Sequence, residues 1–585
     1  MNSFLKIFLA TLTAILVVVL IGILFLIGTV SSLGSKPKEP IGVNAVLTID
    51  LAQTFQERVK DDPFGKLESG ESYDNPSQFQ LVQLIRHAAT DPAVKGIYLK
   101  AGANGNGFGT SEDIREALQY FKKSGKFIYA YADVITQGAY FIASVSDKVY
   151  TNPQGGLDWR GYSMNYFFMK GLLDKMEIEP QIFYAGQFKS ATEPFRTNQM
   201  TEPNRLQSNV LVNDLYNHFL ALVSASRNVD TATLRSLAVN HSIENAADAV
   251  KYKLIDGAKY DDEVRAEIKG KVEASTIQSI NFVPIGKYLE NTSITEVKSK
   301  DRIAVIFAEG DIIDGKAQED AIGGDSYRNL IRKARLDDQV KAIVLRMNSG
   351  GGSAMASEVM WRELTLAKKS KPVIVSFGDV AASGGYYSTC TADSIFAQPN
   401  TITGSIGVFS IVPNLASFFN NKLGVTFDGV KTAPDADAMA TYKPLTPMQK
   451  AWLQRSVDSI YQTFLARVAE GRHRSKAEID SIGQGRVWSG SRAIELGLVD
   501  RIGGLNEAIA CAARMAKISE YGLRTYPEPT KFFEKLFGSY KEETKLKWMK
   551  EEMGAEAFQW YRSAQYLKNS MGKAQAKMAF DVVVE

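Results

Sequence analysis

Cysteine and histidine are scarce in this 585-residue chain, which has two of the first, Cys390 and Cys511, and four of the second. Two distant cysteines make neither a disulfide framework nor a cysteine zinc site. The four histidines, His87, His218, His241 and His473, leave little material for histidine-based chemistry, and no metal or cofactor is expected. Charge of one sign is missing too: 68 Lys and Arg against 65 Asp and Glu leave a balance of +3, without the basic excess of a nucleic-acid binder, so no nucleic-acid partner is expected. With 45% hydrophobic and 23% charged residues, the composition excludes a disordered or collagenous chain. Long hydrophobic runs are absent with one exception, the 21 uncharged residues from Ile7 to Ile27. At about 1.5 Å per residue this run covers about 30 Å, the hydrocarbon thickness of a bilayer. The apolar core of a cleaved signal peptide is shorter, about 7–15 residues, and the following GTVSSLGSK is a poor cleavage site. Residues 1–40 are therefore expected to form a retained single-span anchor that meets membrane lipid through residues 7–27. Lys6 on one side and Lys36 and Lys38 on the other leave its orientation undecided on charge alone.

The chain then contains itself twice. KGIYLKAG (Lys95–Gly102) returns as KAIVLRMN (Lys341–Asn348), 246 residues later. At the same offset Asp133 falls on Asp379, Gly138 on Gly384, Pro153 on Pro399 and Gly161 on Gly407, without a gap. Farther on, AVKYKLID (Ala249–Asp256) matches AIELGLVD (Ala493–Asp500). A register held this long marks a duplication, with repeats at 45–290 and 300–525 joined near ENTSITEVKSKDR. Within each repeat short β-branched runs such as Ile303–Phe307, Ala342–Leu345 and Val373–Phe377 alternate with helical patterns such as SEVMWRELTLAKKS. That alternation predicts an α/β fold built of crossover units around a mainly parallel sheet. Residues 526–585 change to a charged, amphipathic pattern and are expected to be a helical extension.

Two second-repeat segments could carry chemistry. NSGGGS (Asn348–Ser353) follows a strand and precedes a helix, so its glycines can turn backbone N–H groups toward an oxyanion, or simply make a tight turn; no Lys-Ser/Thr follows to make it a Walker loop. In DVAASGGYY, Ser383 stands at a strand-to-helix turn with the Gly384 amide beside it. It reads either as a nucleophile or as a helix N-cap. The first repeat has Gln137 there, although a cap would serve both copies and a nucleophile is needed in only one. No histidine lies in the matched segments to complete a Ser-His-Asp triad, and neither G-x-S-x-G nor S-x-x-K is present. A lysine base remains. The first repeat offers Lys189 in IFYAGQFKSATEPF, behind Phe183, Tyr184 and Phe188, whereas the corresponding second-repeat stretch is polar and its Lys431 is displaced. Each copy keeps what the other lacks. As a base, Lys189 must be neutral, which burial can achieve; paired with Glu193 four residues on, it would stay charged.

Together NSGGGS, DVAASGGYY, TGSIGVF (Thr403–Phe409), GQFKSATEPF and GRVWSGSRAIELGLVDRIGGL (Gly485–Leu505) resemble the signal peptide peptidase family in its long, duplicated form, the protease IV type. The resemblance covers nearly all of residues 45–525. It implies two tandem Clp-protease/crotonase-like βαβ spiral domains and a membrane-anchored serine endopeptidase that degrades cleaved signal peptides and other apolar or unfolded peptides. It further implies Ser383 as nucleophile, Lys189 as general base, Ser405 as the hydroxyl that orients the lysine, and backbone N–H groups of Gly384 and of Gly351 or Gly352 as oxyanion donors. A tetramer-like ring of identical subunits is implied, as is a place in the bacterial inner membrane with the catalytic body on the periplasmic side. One departure is visible: Gly350 stands where the family loop usually has proline, which would stiffen it. Two rival readings keep the fold: an acyl-CoA enzyme that uses the glycine loop for a thioester oxyanion, and a membrane scaffold with a dead site.

Overall fold

A computed structural model describes residues 40–58, 75–292, 299–317, 321–528 and 573–578, with residue 554 and a few positions between 7 and 21. The 7–27 run lies largely outside the described residues, and no described helix is long and apolar enough to cross a membrane.

The apolar runs of the first repeat form one parallel sheet. It contains β1 (Ala45–Asp50), β2 (Val94–Lys100), β3 (Phe127–Ile135), β4 (Lys148–Leu157), β6 (Gly257–Ala258) and β7 (Phe282–Pro284) in the order β6-β4-β3-β2-β1-β7. The second repeat builds the same order, β18-β14-β13-β11-β8-β19, again all parallel. Its strands are β8 (Arg302–Glu309), β11 (Val340–Ser349), β13 (Val373–Ala382), β14 (Ser394–Ala397), β18 (Arg501–Ile502) and β19 (Gly522–Tyr526). Helices cover these sheets, so the central strands are buried along most of their length, as their uninterrupted apolar runs require. The repeats match in their long helices as well. Glu202–Arg227 and Pro447–Arg472 each have 26 residues, a threonine N-cap (Thr201, Thr446), an early proline and a left-handed C-cap (Asn228, His473).

A third sheet joins the copies. β5 (Glu179–Ala185) from the first repeat runs antiparallel to β16 (Val408–Asn414) from the second, in register from Glu179↔Asn414 to Ala185↔Val408. With β9 (Asp311–Ile313), β10 (Ala321–Gly323), β12 (Gly351–Ser353) and β20 (Gln575–Lys577) the order is β10-β9-β12-β20-β16-β5. Most of the C-terminal extension expected to be helical lies outside the described residues; its described part includes a strand over Gln575–Lys577. Gln-Ala-Lys has little strand preference of its own. It is extended because β12 and β16 offer facing rows of backbone donors and acceptors, and pairing with both satisfies them.

Charged side chains also cross between the copies. Buried Arg346 of β11 donates to Glu57 Oε1 (2.8 Å) and to Asp113 Oδ2 (3.2 Å), both in the first repeat, and to Ser376 Oγ and the Phe377 carbonyl. Burial still dominates Glu57, whose carboxyl is pushed up to about 7. Asp379 caps a helix of the other copy: Thr110 N and Oγ1, in the first turn of Phe108–Lys122, donate to its two oxygens at 2.8 and 3.1 Å. Replacing Arg346 by Met leaves two buried carboxyls without their counter-charge. The expected cost is about 3–5 kcal/mol, read as a lower urea midpoint. The deficit shrinks at acid pH, where the stranded carboxyls fold protonated.

Candidate active site

Two strand registers converge on one serine. β15 (Ile402–Gly404) lies parallel to β13, with Ala382 opposite Gly404, so the next residues, Ser383 and Ser405, emerge side by side; Ser383 N donates to Gly404 O at 2.8 Å. From the other direction, β5 ends with Ala185 opposite Val408. Because that pair is antiparallel, continuing forward from Ala185 and backward from Val408 leads to the same place, where Lys189 meets Ser405. Lys189 Nζ stands 2.9 Å from Ser383 Oγ, 3.0 Å from Ser405 Oγ and 3.3 Å from Ser405 O. The two repeats thus bring together residues 194 positions apart in sequence.

Ser383 occupies an N-cap position, but its side chain makes no capping bond. Its backbone, at φ 54° and ψ −112°, is a conformation that non-glycine residues seldom adopt and that costs about 1–3 kcal/mol. The strained turn presents the hydroxyl at the strand end, as a nucleophile elbow does, although Ala381 and Ala382 precede it where that motif has glycine. Gln137, its counterpart, instead accepts from Arg160 N and Gly161 N and donates to Gly161 O. A cap serine would bond its own helix; Ser383 faces the lysine.

Lys189, Ser383 and Ser405 are each no more than 1% exposed. Burial holds the Lys189 amine well below its ordinary value. The alternative pairing with Glu193 is not formed. That carboxylate accepts from Thr201 N, Thr201 Oγ1 and Asn204 Nδ2, and lies 3.5 Å from Arg196. Of the aromatics before it, Phe183 is buried and Tyr184 exposed, and the second repeat closes over the lysine. At Gly485, φ 78°, any Cβ would stand 2.7 Å from the Cβ of Lys189. Phe188 N donates to Gln484 O and Gly485 N to Ile406 O, locking the two loops together. Gln207, on the long first-repeat helix, donates to Phe188 O and Ser190 Oγ and accepts from Val487 N. Neither Gly485 nor Gln207 stands out in the sequence as a site residue. A glycine beside a strand and a mid-helix glutamine are common, and only their cross-repeat contacts mark them. Lys431 pairs with Asp437 on an exposed loop, away from this cluster.

The glycine loop is now resolved residue by residue. Gly351 N donates to Ser349 Oγ, so its amide is engaged within the loop. Gly352 lies opposite Ala576 in the β12–β20 ladder, between the bonds Met578 N to Gly350 O (2.7 Å) and Ala354 N to Ala574 O (3.3 Å). This alternation makes Gly352 and Ala576 a hydrogen-bonded pair, with Gly352 N–H directed at Ala576 O. Gly384 borders the same spot: a Cβ there would be 3.0 Å from Ala576 O and 3.1 Å from Gly352 N. Gly351 has φ 101°, and a Cβ on it would lie 2.1 Å from Ala576 O, so neither its backbone nor the space tolerates a side chain. Gly352 and Gly384 therefore border one small, donor-lined recess next to Ser383. Among the described residues, no group of His, Cys, Asp or Glu is arranged to hold a metal ion. His87 is engaged with Tyr288 and His218 with Glu112, and neither bonds Ser383.

A buried serine, a lysine whose amine burial shifts downward, and a donor-lined recess meet at one place, the set of groups that acyl transfer to a serine would need. The sequence model of Peptidase family S49 matches the chain twice, over residues 120–275 and 365–519, one match in each repeat. The chain is 35% identical over 516 residues to Protease 4 of Haemophilus influenzae, covering 85% of this chain and 84% of that one. It is 37% identical over 464 residues to Protease 4 of Salmonella typhi, covering 78% and 74%. To the chloroplastic Serine protease SPPA of Arabidopsis thaliana it is 31% identical over 475 residues, covering 80% and 69%. The chain belongs to peptidase family S49 and is a serine peptidase. This removes the acyl-CoA and dead-scaffold readings.

A depressed lysine couples folding to pH with a definite sign. Between the folded value and the ordinary 10.5 the unfolded chain binds the extra proton, so wild-type stability falls as the pH is lowered from 10.5. A Lys189→Met chain lacks this term. Melting temperatures of the two proteins across that range should therefore diverge toward neutral pH, in favour of the variant.

Proposed function

We propose that this peptidase is a membrane-anchored endopeptidase with a Ser/Lys dyad. In this reading Ser383 is the nucleophile, Lys189 the general base, Ser405 the hydroxyl that orients the amine, and Gly352 and Gly384 the oxyanion donors. The observation that carries it is the 2.9 Å approach of a buried lysine amine to a serine hydroxyl from the other repeat. Lys189 takes the proton of Ser383 as Oγ attacks the peptide carbonyl carbon, and the two amides hold the developing oxyanion. The protonated amine then delivers that proton to the leaving nitrogen, leaving an ester on Ser383. A water molecule, deprotonated by Lys189, hydrolyses the ester. The dry surroundings of the amine support this role, because a charged lysine could not accept the first proton.

The substrates we assign are cleaved signal peptides and other apolar or unfolded peptides, bound extended between β12 and β16. Family membership and the Protease 4 relatives support peptide substrates. We further propose that the repeats are spiral domains of the Clp-protease/crotonase kind, with boundaries at 45–290 and 300–525. Residues 7–27 anchor the chain in a bacterial inner membrane, with its body on the periplasmic side, in a tetramer-like ring. The uncharged length of the 7–27 run supports the anchor.

Hydrolysis of casein or of a synthetic signal peptide tests the dyad. Ser383→Ala should abolish turnover and labelling by a fluorophosphonate. Lys189→Met should lower kcat by about 10²–10⁴-fold, the usual worth of a general base. Ser405→Ala should lower it by about 10–100-fold, since a hydrogen bond to the ammonium formed in the reaction is worth about 1.5–3 kcal/mol. Full activity in either of the first two variants rejects the dyad. The kcat/KM profile should rise with pH through a single ionisation and reach its plateau well below 10.5, the ordinary lysine value.

A further inference from the structure

Two amides on the long first-repeat helix, Asn204 and Gln207, stand one turn apart, and each is 1% exposed. A buried amide needs partners for both its nitrogen and its oxygen. Here the partners form a chain. Buried Glu193 accepts from Asn204 Nδ2 at 2.9 Å, and Asn204 Oδ1 accepts from Gln207 Nε2 at 3.1 Å. Gln207 Oε1 in turn accepts from Val487 N of the second repeat at 3.3 Å. Gln207 Nε2 also donates to Phe188 O (3.0 Å) and Ser190 Oγ (2.9 Å), the residues on either side of Lys189. Counted from the matched N-caps Thr201 and Thr446, the second repeat has Trp452 at this helix position, and it is exposed. Only the copy that carries the buried lysine has the buried glutamine.

The chain of bonds has one direction. A carboxylate accepts hydrogen bonds, whereas the backbone N–H of Val487 donates one. Both ends therefore impose the same orientation on the two amides, with Gln207 nitrogen toward the lysine segment and its oxygen toward the second repeat. The loop that carries Val487 is the one that closes over the lysine. Gly485 stands so near that an added Cβ would be 2.7 Å from Lys189 Cβ, and the Arg486 guanidinium lies 4.9 Å from the centre of the Phe188 ring. The charged groups around this junction have other partners. Glu193 is held by Thr201 and Asn204, Arg196 by Thr192 and Glu193, Asp214 by Ser489 and Arg492, and Asp480 by Tyr461 and Gln484, while Arg486 also covers Trp488. Among the described residues, the partners of the Lys189 amine are Ser383 and Ser405.

We infer that Gln207 is a positioning residue of this peptidase: by tying Phe188 and Ser190 to Val487 it keeps the second-repeat loop closed over Lys189 and excludes water from the amine. Glu193 is the fixed end that orients the two amides. The inference rests on the dyad proposed above, in which the first step is transfer of the Ser383 proton to Lys189. Neither Gln207 nor Glu193 bonds the reacting hydroxyl; both act through the lysine. Without the Gln207 amide, the Phe188 carbonyl and the Val487 N–H need water as a partner, and water admitted there stands beside the lysine. Hydration favours the ammonium form. The ionisation that governs activity then rises toward that of a free lysine, although Ser383, Ser405 and Lys189 are all still present.

The pH dependence of kcat/KM for a synthetic signal peptide, and of the rate of fluorophosphonate labelling at Ser383, tests this on the full chain. Gln207→Leu removes all of these bonds at similar side-chain size. It should move the midpoint of the rise up by about one pH unit or more, which is about tenfold less activity at any pH below both midpoints. At high pH its rate should return to within a few-fold of wild type. Glu193→Gln can offer an N–H to Asn204 and so frees the amides to turn; its midpoint should move the same way by a smaller step, and it decides the matter if Gln207→Leu does not fold. Arg346→Met is the comparison for a purely structural role, with a lower urea midpoint and the pH midpoint of wild type. An unchanged pH midpoint in the folded Gln207→Leu chain overturns the inference and leaves the dyad standing. So does activity lost by one factor at every pH, or an equal shift in Arg346→Met. If Lys189→Met is labelled as fast as wild type, the dyad fails first and the inference with it.

Discussion

The antiparallel pairing of β5 with β16 is the constraint on which the rest depends. Each repeat has its own parallel sheet with a core of its own, and Phe183 and Ala185 of β5 cross over to pack into the core of the second repeat. What neither can do alone is bring an amine to Ser383. The seven-residue ladder that ends at Ala185↔Val408 fixes where the chain goes next on both sides. A slip of one residue would turn every side chain of one strand to the opposite face. Lys189 and Ser405 would then no longer meet, although both sheets would remain intact. The Arg346 cluster and the Asp379 cap hold the same two bodies together at a second place, so the ladder is not the lone hinge between them.

Much of this was legible in the sequence because duplication provides an internal control. Gln137 opposite Ser383, and an exposed Lys431 near the place matching Lys189, show the copies diverging at chemistry-bearing positions while the strands around them keep their pattern. The alternation of β-branched runs and helical patterns predicts the parallel sheets for the same reason: burial on both faces leaves a one-dimensional trace. Other features leave no such trace. The strain at Ser383 depends on the turn between β13 and its helix, not on a glycine signature. The second-repeat loop that closes over Lys189 is distant in sequence, and of the nearby aromatics Tyr184 faces outward. The strand at Gln575–Lys577 was missed because its conformation is dictated by its neighbours' free edges. Its own residues would have been read as helix or loop.

Ser405 has a structural part as well as the chemical one proposed for it. It follows the short strand β15, has a positive φ of 51°, and donates its backbone N–H to Arg486 O. Its carbonyl and hydroxyl both approach Lys189. Ser405 thus ties the loop from β5 to the loop before β17 (Val487–Ser489), and its neighbour Gly404 accepts from Ser383 N. Three segments that meet at Gly404 and Ser405 leave little room for the amine to choose another partner. This is how a buried lysine can be held without a carboxylate beside it.

Completing the cluster within one polypeptide has a further consequence. Two separate half-size chains would have to find each other, and their shared centre would dissolve when the protein became scarce. Covalent fusion replaces that bimolecular equilibrium with a fixed effective concentration set by the connecting segment. The fused chain therefore has its lysine and serine matched one to one from the moment it folds, at any copy number in the cell. Duplication followed by divergence gives up the spare copy: damage to either half removes the whole centre, since no second one remains.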